Sequence, residues 1–186
     1  MLRTSLRPHP DTPPGPINLI RAQAHRKGRE GLAFSFRVAG EIGEIRWPGE
    51  ERSGYEGWQR GDDLWQHTCF EAFGAIEGIP GYYELNFATS GKWAAYRFSD
   101  YRKGMQPTDE LGLVVARWFI HERQMGFEAV MQVPKEFGDL TWDVGLSAVI
   151  EEKSGNKSYW ALAHLPGKPD FHHPACFAAR LEPPGV

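Results

Sequence analysis

Short runs in which apolar and polar residues alternate recur along this chain, and a period of two is that of a strand whose faces meet different surroundings. The clearest are "TCFEAFGAI" at 68–76 and "YYELNFA" at 82–88. Similar runs place strands at 17–25, 31–39, 68–76, 82–88, 93–99, 111–120, 127–133, 144–151, 158–164 and 175–181. Glycine, proline, Asn and Asp punctuate the gaps, as in "EGIPG", "TSGK", "KSGNK" and "LPGKPD". Helical periodicity is weak throughout. Residues 50–65 could hold one irregular turn, but three glycines argue for a long loop. Ten short strands without helices predict an all-β fold, a two-sheet antiparallel β-sandwich of immunoglobulin-like or jelly-roll-like type. One domain is expected over 16–182, with the Pro-rich residues 1–15 as a flexible lead-in and "LEPPGV" as the stop.

Composition narrows the function classes. At 186 residues, 41% of them hydrophobic, the chain can bury roughly 70% of its unfolded surface without a disulfide or metal staple. The net charge of −3, with no basic stripe, argues against nucleic acid. The cationic stretch from Arg21 to Arg29 reads as a solvated strand end. No apolar run approaches 18 residues, so no membrane partner is expected. Two cysteines, Cys69 and Cys176, make no disulfide framework, and the N-terminal stretch lacks an apolar leader. The expected location is therefore the cytoplasm. The aromatic share of 13%, with seven Trp, suits strands and flat binding surfaces.

Sorting side chains by parity suggests where polar chemistry gathers. Tyr83, Leu85 and Phe87 share one face; Tyr82, Glu84, Asn86 and Ala88 share the other. Phe70, Ala72 and Ile76 oppose Cys69, Glu71 and Phe73, and Ala94, Tyr96 and Phe98 oppose Trp93, Ala95 and Arg97. If these strands are neighbours, one polar face collects Glu71, Glu84, Asn86, Trp93 and Arg97. Carboxylates, an amide, a guanidinium and an indole together can hold a hydroxyl-rich ring. The same residues could equally form a solvated face with a cross-strand ion pair from Arg97 to Glu84 or Glu71.

Three segments carry a family resemblance: "DLWQHTCFEAF", "YYELNFATSGKWAAYRFSDYRKGM" and "SYWALAHLPGKPDFHHPACF". They resemble DOMON-like domains, bacterial relatives of family 9 carbohydrate-binding modules and of haem- or sugar-binding DOMON domains. The resemblance implies two packed antiparallel sheets and recognition of a carbohydrate or related polar ring compound. In the sugar-binding relatives a Trp stands six residues before a Glu, the ring walling the sugar slot and the carboxylate bonding hydroxyls; Trp65 and Glu71 match. "YELNF" matches the next site-lining strand. A second aromatic wall from near the C-terminus is implied, with Trp160 and Phe171 as candidates. Arg102, in "SDYRKGM", is a candidate ligand contact because the matching segment includes it.

The same sequence offers residues for other chemistries. Glu71 and Glu84 could serve a glycoside hydrolase. His164, Asp170 and His172 are metal-ligand types at a spacing that fits no strong zinc pattern. His67 with Cys69 is a thinner metal candidate. Met105, Met125, Met131 and His164 offer haem-ligand types without a matching motif. Exposed tryptophans could instead mark a protein-interaction surface. Phosphate-binding glycine loops and nucleophile elbows are absent from the sequence. The favoured expectation is a non-catalytic binder of a carbohydrate or similar small molecule, without a cofactor.

Overall fold

The alternation resolves, in a computed structural model that describes residues 2–49 and 57–185, into fourteen strands. They are Leu2–Ser5 (β1), Arg7–Pro8 (β2), Ile17–Arg26 (β3), Gly31–Gly40 (β4), Gln59–Arg60 (β5), Cys69–Ile76 (β6), Tyr82–Ala88 (β7), Lys92–Phe98 (β8), Gln106–Pro107 (β9), Gly112–His121 (β10), Gln124–Gln132 (β11), Trp142–Glu151 (β12), Lys157–Ala161 (β13) and Ala179–Leu181 (β14). Helical structure among the described residues is confined to four short 3-10 turns. Part of the irregular turn considered for 50–65 lies outside the described residues. Its last portion forms β5 and a 3-10 turn at Leu64–Gln66.

Two sheets pack as an open sandwich. One has the order β1-β3-β4-β11-β10. The other runs β2-β13-β12-β6-β7-β8-β5, with β14 also beside β12 and β9 beside β8. The pairs are antiparallel except the two-residue contact of β5 with β8. The inner faces meet in a core of large rings: Phe70 stacks on Phe127 at 5.4 Å, with Phe36 and Phe87 4.9 and 5.2 Å from one or other of that pair. Such contacts add about 0.5–1.5 kcal/mol each beyond their area burial. Trp142, Leu85, Ile76 and Leu146 extend the layer.

The N-terminal residues depart from the sequence expectation. Rather than a free lead-in, β1 pairs with β3 in one sheet and β2 pairs with β13 in the other. Leu6 stands between them, 3% exposed in the core. The chain thus crosses from sheet to sheet within seven residues. Proline content signals a lack of helix, and Pro8 suits a sheet edge, where its missing N–H costs nothing.

Candidate functional site

A second apolar layer lies on the outer face of the nine-stranded sheet, where a polar face would ordinarily meet water. Cys69, Phe73, Tyr82, Ala88, Ala94, Tyr96, Phe98 and Val149 are buried there. What covers them is the segment between β13 and β14. Both strands lie along the same edge of β12, at Ser147–Glu151 and Trp142–Val144 respectively. The intervening chain leaves that edge, folds across the sheet face and returns. Gly145 makes the close approach possible: a Cβ there would sit 3.0 Å from Phe177 Cδ1 and 3.1 Å from the Cys176 carbonyl oxygen.

Polar pairing fixes this cover. Asp170 accepts from Arg102 Nε and Nη2 at 3.2 and 2.8 Å, from Tyr101 Oη, and from its own loop's His172 N–H at 3.1 Å. Burial would raise the Asp170 carboxyl, but these bonds hold it below the usual carboxylate range. Arg102 itself sits at φ 53°, a left-handed conformation that costs energy for a side chain with a Cβ and persists where surroundings over-determine it. Its N–H donates to Tyr82 Oη at 3.2 Å. The phenol proton is then free for His172 Nδ1, 2.8 Å away, which leaves the imidazole proton on Nε2. Packed among Phe73, Phe98 and Tyr82, and near the Arg102 charge, His172 is lowered to about 4 by burial first and is neutral at pH 7.

Beneath the cover a cavity of about 380 Å³ opens over β6 and β7, its lining including Trp65, Glu71, Glu84, Arg102, Phe171 and His172. Cross-strand register sets its floor. Glu71 lies opposite Asn86 and Ser147, and Glu84 lies opposite Phe73 and Tyr96. Both carboxyls are therefore on one face, on adjacent strands, 3% and 4% exposed. Ser147 Oγ donates to Glu71 Oε2 at 3.3 Å, and Asn86 Nδ2 donates to Glu84 Oε1 at 2.7 Å. Glu84 Oε2 is 3.8 Å from His172 Nε2, beyond hydrogen-bond reach. Burial pushes Glu84 up to about 7, against the Asn86 bond and the Arg102 charge. Glu71 is raised well above the carboxylate range by burial and by the Glu84 charge, with the Ser147 bond opposing.

Aromatic rings stand at both ends of this floor. Across β12 from Cys69, Tyr159 on β13 faces Phe171 at 6.1 Å. Beyond Glu84, Tyr96 on β8 meets the edge of Trp65 at 5.9 Å. Asp63 in left-handed backbone and buried Leu64 anchor the 3-10 turn that presents Trp65 half-buried at the rim. Tyr96 Oη donates to Asp62 at 2.7 Å, and this acceptor joins burial in pushing the phenol up.

The residues expected here divide clearly. Trp65, Glu71, Glu84, Arg102 and Phe171 line the cavity, and Asn86 bonds Glu84 from below. Trp93 and Arg97 do not share this face. Asn86 pairs with Ala94 and Glu84 with Tyr96, which turns Trp93 inward to the core, 8% exposed, and puts Arg97 over the Tyr83 ring. The parity within each strand was read correctly; the phase between β7 and β8 was not. Arg97 instead donates to the Tyr82, Phe98 and Pro80 carbonyls. Trp160 is likewise a core ring, 2% exposed, because its partner Ala148 faces inward. At that end of the cavity the rings are Phe171 and Tyr159, and Tyr159, which neighbours Trp160 in opposite parity, is absent from the sequence expectation.

His164, Asp170 and His172 are not brought together as a metal set. His164 Nε2 meets the Arg7 carbonyl at 2.8 Å and its ring meets His9, while the other two are engaged as described. Likewise His67 bonds Glu151 and Cys69 faces Asn86. Among the described residues no three metal-ligand types cluster. Another hollow, about 460 Å³, lies on the outer face of the five-stranded sheet. Its Glu128 is already paired with Arg37 and Arg117.

A scan against protein-family models matched none, and a search of curated proteins found no match. Solved structures do match. A candidate carbohydrate-binding protein from Bacteroides uniformis superposes with a TM-score of 0.59 at 16% identity, over 95% of this chain and 85% of that one. A family 9 carbohydrate-binding module from Caldicellulosiruptor kristjanssonii, in complex with cellotriose, superposes at 0.57 and 11% identity, over 100% and 83%. A family 9 module of that organism with glucose gives 0.51 at 10%, over 90% and 78%. The chain thus shares the β-sandwich fold of the family 9 carbohydrate-binding modules.

Proposed function

We propose that this protein is a non-catalytic binder of a carbohydrate or similar polar ring compound, of DOMON-like type. The observation that carries the reading is the cavity itself: two buried carboxyls on its floor, with aromatic rings at both ends. The two carboxyls, with Asn86 holding Glu84 in place and Arg102 at the cavity wall, offer polar contacts of fixed geometry, and the rings offer apolar faces to C–H groups. The fold shared with sugar-binding modules supports the same reading, while fold alone does not assign a ligand. A glycoside hydrolase needs its two carboxyls on either side of the scissile bond. Here both rise from one sheet face and form the floor of the cavity, which favours recognition over hydrolysis.

The test is a glycan array with wild type and two tryptophan variants. Trp65→Ala should lower binding at least tenfold while leaving Tm nearly unchanged, since the ring is at the cavity rim. Trp160→Ala should instead cost ~3–5 kcal/mol of stability, as loss of a core ring. Release of reducing sugar by wild type, or full binding by Trp65→Ala, would overturn the reading.

A further inference from the structure

We propose that the ligand of this cavity is an amino sugar bound through its protonated amine, in preference to a neutral sugar; this rests on the carbohydrate reading of the same site. Two carboxyls that are both more than nine-tenths buried share one cavity floor, and each has one oxygen bonded by the protein, Glu71 to Ser147 and Glu84 to Asn86. Their other oxygens face the cavity without a donor in reach among the described residues. The cation beside them compensates Glu84 only in part, because the Arg102 guanidinium bonds Asp170 and donates to neither carboxyl. His172, the remaining candidate cation at the cavity, is held neutral between the Tyr82 hydroxyl and three rings. The groups that face the pair are thus Ser147 on β12, Cys69 on β6, Asn86 and Tyr82 on β7, Tyr96 on β8, Arg102 from the loop after β8, and His172 from the cover, the one positive charge among them being that of Arg102, paired with Asp170.

Like charges at such depth repel, so the empty site retains a proton it would lose in water. A ligand ammonium reverses that: it donates to both open oxygens, and the faces of Trp65, Tyr159 and Phe171 favour a cation as well. A hydroxyl in the same place supplies neither charge. The cavity, about 380 Å³, is at the small end for ligand sites and suits one or two rings.

Calorimetry at pH 7 on the full chain decides the matter, comparing glucosamine, galactosamine and mannosamine with their N-acetyl forms and parent hexoses. N-acetylation keeps the ring and nitrogen but removes the charge. At least one amino sugar should bind roughly tenfold or more tighter than its N-acetyl and neutral counterparts, the worth of a charged hydrogen bond. Its binding should release a proton, read as a heat that changes with buffer. Glu84→Gln should bring the ratio towards one by weakening the charged sugar more than the neutral one. Should that variant fail to fold, salt provides the second reading, and the preference should shrink as ionic strength rises. A preference for neutral or N-acetylated sugars overturns this inference and leaves the carbohydrate reading standing. An amine preference indifferent to both salt and Glu84→Gln overturns it too. Failure of every sugar to bind overturns both.

Discussion

Glu84 shows how one residue ties the cavity to the stability of the whole chain. Its carboxyl titrates near 7 when folded, against an ordinary value of 4.5, so between those pH values the folded state holds more protons than the unfolded one. Stability then falls as pH rises through that window. His172 acts oppositely: lowered to about 4 from 6.5, it makes the folded state hold fewer protons there, so stability rises with pH up to about 6.5. Above 6.5 only the cavity carboxyls of these groups act, and Glu71, raised as well, adds to the effect of Glu84. From pH 6.5 to 8 we expect a loss on the order of 1 kcal/mol, or about 2–4 °C in Tm. Glu84→Gln should flatten the slope in calorimetric scans; an unchanged slope would place the proton elsewhere. At this scale the sequence was partly legible. The Trp65–Glu71 spacing and "YELNF" led to cavity residues, whereas Trp93, Arg97 and Trp160 have the right side chains on the wrong face. Side-chain type is written in the sequence, but facing depends on how neighbouring strands are phased.

That phase is an element-scale property, and it decides which side chains of neighbouring strands meet. Within each run the alternation was plain, and β6 and β7 were matched correctly because Glu71 and Asn86 happen to be cross-strand partners. The β7–β8 turn, which sets Ala88 opposite Lys92, shifts the next match by one parity step relative to the naive alignment. The cover over the site was harder still, since 162–178 carries no alternation and its position depends on Asp170 meeting Arg102 across 68 residues of chain. We therefore expect Asp170→Ala to release the cover selectively. Hydrogen exchange should quicken at 163–177 and Tyr101–Arg102, ligand affinity should fall several-fold, and strand amides should keep their protection. Uniformly faster exchange would mean that the cover is integral to the sandwich rather than laid on it.

For the molecule as a whole, the all-β sandwich was legible because ten runs with turn signals leave few alternatives. The joining of its two sheets by the N-terminal segment was not, since a Pro-rich stretch reads alike whether it is free or edge-paired. Removal of residues 2–8 should therefore do more than trim a tail. It takes Leu6 out of the core and bares the outer edges of β3 and β13. Light scattering and thermal melts of that truncation should show a lower Tm and self-association, because open edges are templates for pairing with another chain. The same arrangement bears on synthesis. Arg7 and Pro8 emerge from the ribosome long before their partners Trp160 and Ala161, so this edge of the nine-stranded sheet stays open through most of translation. Until β13 arrives, protection of the nascent chain falls to β1 on β3, or to whatever chaperone meets it first.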